Sequence, residues 1–114
     1  MQSNLSLDRI ILSYALHNKQ FAMELSNSVT HEYFHTDIQW LYKATMDYFG
    51  NPKFKELPTA NIIAEYLEKN YSQESFITSG KSLFSEILSL ETNPTEFKWY
   101  VEKFKVRYND QVQR

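Results

Sequence analysis

The chain has no cysteine, only two glycines and three prolines in 114 residues, and a formal charge of just −2. Each scarcity removes a class of protein. Without cysteine there is no disulfide framework, no thiolate metal site and no cysteine nucleophile, and the composition fits a cytoplasmic setting. So little glycine and proline leaves few residues for tight hairpins, which favours helices joined by short loops over strands. A near-neutral chain with pI ≈ 5.9 is a poor match for strong direct nucleic-acid binding, where Lys and Arg displace counterions from phosphates. No apolar run approaches the roughly 18 residues of a membrane span, and the N-terminus lacks the basic-then-apolar order of a signal peptide. There is no internal repeat and no low-complexity stretch.

What the chain does have is apolar bulk. It is 42% hydrophobic and 16% aromatic, enough for one domain to close a core. The expected fold is all-α, a compact bundle of about six helices. Leu7, Ile10, Ile11, Tyr14 and Ala15 recur at helical spacing, with Ser6 as the expected N-cap and Asp8 placed at the positive end of the dipole. A second helix is expected from about Lys19 to Ser28, burying Phe21, Ala22 and Leu25, with Thr30 capping the next turn. A third runs from about Thr36 to Phe49 on Ile38, Leu41, Tyr42, Thr45, Met46 and Phe49, ending at Gly50-Asn51-Pro52.

After a loop from Asn51 to Pro58, Thr59 caps a short helix with Ile62, Ile63, Tyr66 and Leu67 on its apolar face. Ser72 is the expected cap of a fifth helix reaching about Leu90. Phe76, Leu83, Ile87 and Leu90 lie on one side of it, flanked by Ile77, Phe84 and Leu88. Gly80 within it either permits a close helix contact or marks a break. The last helix has the best start signal: Asn93 as N-cap, Pro94 at N1 and Glu96 at N3. Phe97, Tyr100, Val101, Phe104 and Tyr108 follow as a stripe, with Trp99 and Val106 off it. No stop signal appears before Arg114, the pattern of a helix that continues in a longer protein. Residues 1–91 are therefore expected to form a globular helical domain, and 92–114 the truncated first arm of a helical hairpin or a linker helix.

Two stretches resemble catalytic motifs. His31-Glu32-Tyr33-Phe34-His35 is a literal H-E-x-x-H, which on a helix sets two imidazoles one turn apart for zinc with the glutamate as general base. Glu56 or Glu65 could supply a third ligand. Thr30 just before it puts the histidines in a first turn rather than mid-helix, Asp37 stands where such enzymes carry an apolar residue, and a small chain without a sheet is an unusual peptidase. Ser79-Gly80-Lys81-Ser82 resembles the end of a phosphate loop but lacks the upstream glycine and strand, so it reads as a polar helix segment. No catalytic or metal residue is assigned, and no cofactor. The interface candidates are Trp99, Tyr100, Phe104 and Tyr108, because aromatics are enriched at protein contacts. Lys98, Lys103, Lys105 and Arg107 among them suggest stacking on single-stranded nucleic acid, but a solvated face explains them more simply.

The order of these elements resembles the N-terminal domain of DnaB-family replicative helicases, most closely the versions carried by tailed phages. The matching segments run in series: Ile10 to Asn18 as the aliphatic helix and its asparagine turn, Leu25 followed by Glu32-Tyr33-Phe34, Leu41-Tyr42-Lys43-Ala44, Leu57 to Ile63 through Leu67, and Asn93 to Trp99. The resemblance covers roughly residues 5 to 110. Ser13 stands where the family commonly has glycine, and the step from Phe34 to Leu41 is about one residue short. In this alignment Glu32 to Phe34 form a structural turn, which argues against the zinc reading.

The resemblance implies the collar of a hexameric ring, whose domains pair through helical hairpins into a trimer of dimers and dock primase and, in some systems, a helicase loader. ATP and Mg would belong to a motor domain absent from this sequence, so no catalysis is expected of this stretch. It also implies the cytoplasm of a bacterial host and no membrane partner. The alternative of the same interaction class is the helicase-binding C-terminal domain of a primase, which would need a catalytic region upstream; Met1 at the head of the chain favours the helicase. A small zinc hydrolase acting through His31, Glu32 and His35 is the enzymatic alternative.

Overall fold

The helix that organises the molecule, α1 (Asn4–His17), has almost no polar side: Ile11, Leu12, Ser13, Tyr14, Ala15 and Leu16 are all buried in succession. A helix apolar on every side has to be enclosed rather than laid on a surface. The enclosing elements are α2 (Lys19–Ser28), α3 (Gln39–Gly50), α5 (Glu74–Leu88) and α6 (Phe97–Val112), with α4 (Ala60–Asn70) packed outside on α5. Short 3-10 turns at His31–Tyr33 and Pro94–Glu96 lead towards α3 and into α6. This computed structural model describes residues 4–50 and 58–112, with side chains from 7 to 50 and 58 to 110. Among the described residues there is no strand, and one apolar cluster runs from Ile11 to Phe104. The fold is all-α, with six α-helices among the described residues, as the sequence predicts.

Local chemistry explains the corners. Asn18 is extended between α1 and α2 (φ −154°, ψ 116°), and its Oδ1 accepts the Gln20 N–H at 2.8 Å and that of Phe21 at 3.4 Å. Two donors left unpaired by the helix start are thus satisfied. Tyr42 on α3 donates its hydroxyl to the Val29 carbonyl at 2.7 Å, tying α3 to the end of α2. Buried Thr45 donates to the carbonyl of Leu41 at 2.8 Å, so its hydroxyl is also paired inside the core. Thr59 Oγ1 accepts the Ile62 N–H at 3.4 Å and starts α4 where expected.

Several expectations are corrected. Helix α1 begins at Asn4, so Ser6 lies inside its first turn rather than before it. Thr30 makes no side-chain cap bond, and α3 begins at Gln39, after a turn in which Ile38 donates to the His35 carbonyl at 2.9 Å. Gly50 is the last residue of α3 without a positive φ. Helix α5 is preceded by Gln73, not Ser72, has no side-chain cap, and ends at Leu88. Its buried face is rotated from the expected one: Gly80, Phe84 and Ile87 are enclosed, whereas Phe76, Leu83 and Leu90 are half-covered. The loop Asn51 to Leu57, Glu56 with it, lies outside the described residues.

The rotation of α5 has a cause in Gly80. A Cβ built there would stand 2.7 Å from Cδ1 of Leu67 and 3.2 Å from the Trp40 ring. Leu67 is fully buried and Trp40 only 5% exposed, so neither can yield easily. Glycine therefore lets α5 close on α4 and α3, and the helix passes through it unbroken.

Gly80→Ala should accordingly destabilise, since overpacking costs about 1–3 kcal/mol while the gain in helix propensity is at most about 1 kcal/mol. Urea denaturation checks the sign, and a stabilised variant would mean the contact is loose. Burial raises the Tyr42 hydroxyl above its ordinary pKa of 10.0, and burial first, then neighbouring Tyr71 and Asp47, does the same at Tyr66. A group raised in the folded state contributes fully below the unfolded value and loses that contribution as pH climbs through the folded one. Stability should thus fall above about pH 10. Tyr42→Phe should flatten that fall, at a cost of about 1–2 kcal/mol at neutral pH for the lost bond to Val29.

Candidate protein-interaction face

Helix α6 starts where its sequence signal lies. Asn93 Oδ1 accepts both the backbone N–H of Thr95 at 3.1 Å and its hydroxyl at 2.8 Å, and Pro94 occupies the first position. The turn is fastened from outside by Tyr14, whose hydroxyl donates to the Asn93 carbonyl at 2.8 Å and accepts the Asn93 N–H at 3.1 Å. One phenol on the central helix thereby fixes where the last helix begins.

From that anchor α6 runs along α1 rather than standing off as a separate arm. Phe97, Val101 and Phe104 belong to the single core, Phe97 stacked on Phe21 at 4.2 Å. Phe104, expected at an interface, is fully buried against Phe34 and Tyr33 of its own chain. That expectation is corrected: the ring is committed to the core. Tyr108 is half-buried, with one face stacked on Tyr33 at 4.0 Å and 18°. Tyr100 is half-buried against Tyr14, 5.8 Å between centroids, and burial, then Glu96 and Tyr14, raises its hydroxyl pKa.

Trp99 is different. It is 56% exposed, and Val106, two turns along the same outer face, is 57% exposed. They are the most exposed large hydrophobic side chains among the described residues. Between them Lys103 holds its ammonium 5.1 Å from the Trp99 ring centroid. Beside this face a shallow groove of ≈ 300 Å³ between α2 and α6 is lined by Glu24, Ser28, Lys98 and Glu102, floored by Phe97 and Val101. The outer face of α6 thus carries two exposed apolar side chains seven residues apart, with charges of both signs alongside.

Sequence periodicity marks Trp99 and Val106 as off the buried stripe, but Val106 is not among the expected interface residues; its seven-residue spacing from Trp99 is the available signal. Periodicity alone also misses the pairing of Asp8 with Arg107. Asp8, expected at the positive end of the α1 dipole, lies beyond the first turn and is fully buried, where it receives the Arg107 guanidinium on Oδ1 and the His35 N–H on Oδ2 at 2.6 Å. Arg107 is likewise turned inward, 15% exposed, instead of lying on a solvated face.

The H-E-x-x-H segment does not form the helix that its chemistry needs. His31 to Tyr33 make one 3-10 turn and Phe34 is extended (φ −92°, ψ 154°), so His31 and His35 are not successive turns of one helix. His35 and Asp37 instead pair locally at 3.5 Å. Among the described residues no three His, Asp or Glu side chains converge as a metal site, and Glu56 lies outside them. Ser79 to Ser82 sit within α5, with Gly80 packed against Leu67 and Trp40. Among the described residues no helix is long and apolar enough to cross a membrane. No family model, curated protein or solved structure matches the chain.

The geometry separates two kinds of aromatic on α6. Trp99→Ser should shift folding stability by no more than about 0.5 kcal/mol, as for other exposed positions. Tyr100→Ser and Tyr108→Ser should each cost about 1–2 kcal/mol, because their rings cover Tyr14 and Tyr33. Chemical denaturation of the three variants decides this, and equal losses would mean that Trp99 is packed too.

Proposed function

We propose that this chain is a protein-interaction module: the N-terminal collar domain of a DnaB-family replicative helicase, without catalysis of its own. The observation that carries the reading is the outer face of α6, where Trp99, Lys103 and Val106 lie exposed on a helix whose opposite side is locked into the core. The ordered series of family-like segments, from the Asn18 turn to the Asn93-Pro94 start of the last helix, supports it. So does the near-neutral charge, which suits protein contacts better than direct nucleic-acid binding.

On this reading the outer face of α6 meets a second copy, and pairs of copies build the trimer of dimers that forms the collar. Primase, and in some systems a loader, dock on the assembled ring. The motor that uses ATP and Mg and moves on DNA belongs to other parts of the parent protein. The place of action is the cytoplasm of a bacterial host. Assembly through few, exposed residues concentrates binding energy in an aromatic anchor, which is the usual distribution at protein contacts.

Sedimentation equilibrium over a wide concentration range tests the assembly. Concentration-dependent association is expected, weakened about tenfold or more by Trp99→Ser combined with Val106→Ser, as for loss of one anchoring side chain worth about 1.4 kcal/mol. Strictly monomeric behaviour at millimolar concentration, or association indifferent to both substitutions, would sink the reading.

A further inference from the structure

Helix α6 is held to the domain in two unequal halves. From Phe97 to Phe104 it buries three large side chains in the core. From Lys105 to Asp110 no side chain is fully buried: Val106, Asn109 and Asp110 face solvent, while Lys105, Arg107 and Tyr108 are partly covered. Apart from the Tyr108 ring on Tyr33, apolar burial therefore contributes little to docking this distal half, which makes it less stable than the stretch from Phe97 to Phe104. Its inward contacts are of another kind. Arg107 donates to Asp8 Oδ1, reaches the Tyr33 carbonyl at 3.5 Å and lies over the Phe104 ring, and Tyr108 stacks on Tyr33.

The partner carboxylate is shared. Asp8 on α1 is fully buried, and its second oxygen holds the His35 N–H at 2.6 Å. One side chain thus joins the first helix, the turn before α3 and the distal part of the last helix. A buried carboxylate is tolerable beside a guanidinium, and Asp8 stripped of Arg107 would be a buried charge without its counter-ion. Such a contact is made or broken as a unit, with no cheap intermediate.

We propose that the Asp8–Arg107 pair is a latch for the distal half of α6. Closed, it holds residues 105–112 on the domain with Tyr108 against Tyr33. Open, it releases them together with the turn around His35, and uncovers Tyr33 and the Phe34–Phe104 contact. The device belongs to the single chain and does not depend on the assembly reading.

Amide hydrogen exchange on the whole chain, resolved by residue, tests it. In the unmodified protein His35 and the amides of Tyr108 to Asp110 should share one opening constant, larger than that of Leu41, Ile63 or Phe84. Asp8→Asn should accelerate exchange at His35 and the distal α6 amides by about tenfold or more, with α3, α4 and the start of α6 nearly unchanged. Arg107→Gln should accelerate the same set. Uniform acceleration over all helices, or none at the distal amides, would overturn the latch. Unrelated opening constants for His35 and distal α6 in the unmodified protein would do so even where neither variant folds.

Discussion

From Ile11 to Leu16 the first helix has no side on which a side chain reaches water. A helix in that condition is insoluble alone, and the only stable arrangement surrounds it. That demand places the other elements. Helix α2 turns back immediately at Asn18, α3 and α5 cover further sides, and α6 closes what is left. The polar groups that α1 carries inward are used as fasteners: the Tyr14 hydroxyl takes both backbone groups of Asn93, Ser13 reaches the Leu90 carbonyl at 3.5 Å, and Asp8 takes Arg107 and His35. Each joins α1 to a segment distant in sequence, so the apolar need for enclosure and the polar means of fixing it come from one element.

This arrangement divides α6 between two tasks. Its inner residues complete the enclosure of α1, and between Phe97 and Phe104 they thereby hold the outer residues Trp99 and Lys103 facing solvent. Trp99 owes its exposure to Phe97 and Val101 on either side of it, whose burial sets the rotation of the helix. A rigid backbone beneath an exposed aromatic lowers the entropy lost on binding, because only the side chain remains to be ordered. The same packing accounts for the intermediate state of Tyr100, tilted against Tyr14, and of Tyr108, stacked on the half-buried Tyr33.

Helix positions are legible where local signals coincide with tertiary ones. Thr59 and Asn93 cap as their side chains suggest, and Ala22, Leu25, Ile63 and Leu67 are buried as their spacing requires. Legibility fails where a helix is not amphipathic or where the decisive partner is remote. Leu12 and Leu16 break the one-face pattern of α1, and only a helix enclosed on all sides buries them. Phe84, rather than Leu83, lies at the buried centre of α5 because Gly80 selects the rotation, and that depends on Leu67 and Trp40. The face of α6 is half legible. Periodicity separates Trp99 from Phe97 and Val101, but it cannot distinguish Phe104, which meets Phe34, from a ring kept for a partner. Asp8 and Arg107 lie almost a whole chain apart, and no local pattern links two such charges.

The pairing of α1 with α6 also bears on how the protein is made. The ribosome releases α1 before α6, the helix that seals it. Until Phe97, Val101 and Phe104 emerge, part of α1 has no cover, and closing that contact must overcome the loop entropy of nearly the full chain. Translation pauses before Asn93 would lengthen the interval in which this surface is open to aggregation or to a chaperone. The Tyr14–Asn93 clasp lies at the N-terminal start of α6, the part of that helix which leaves the ribosome first.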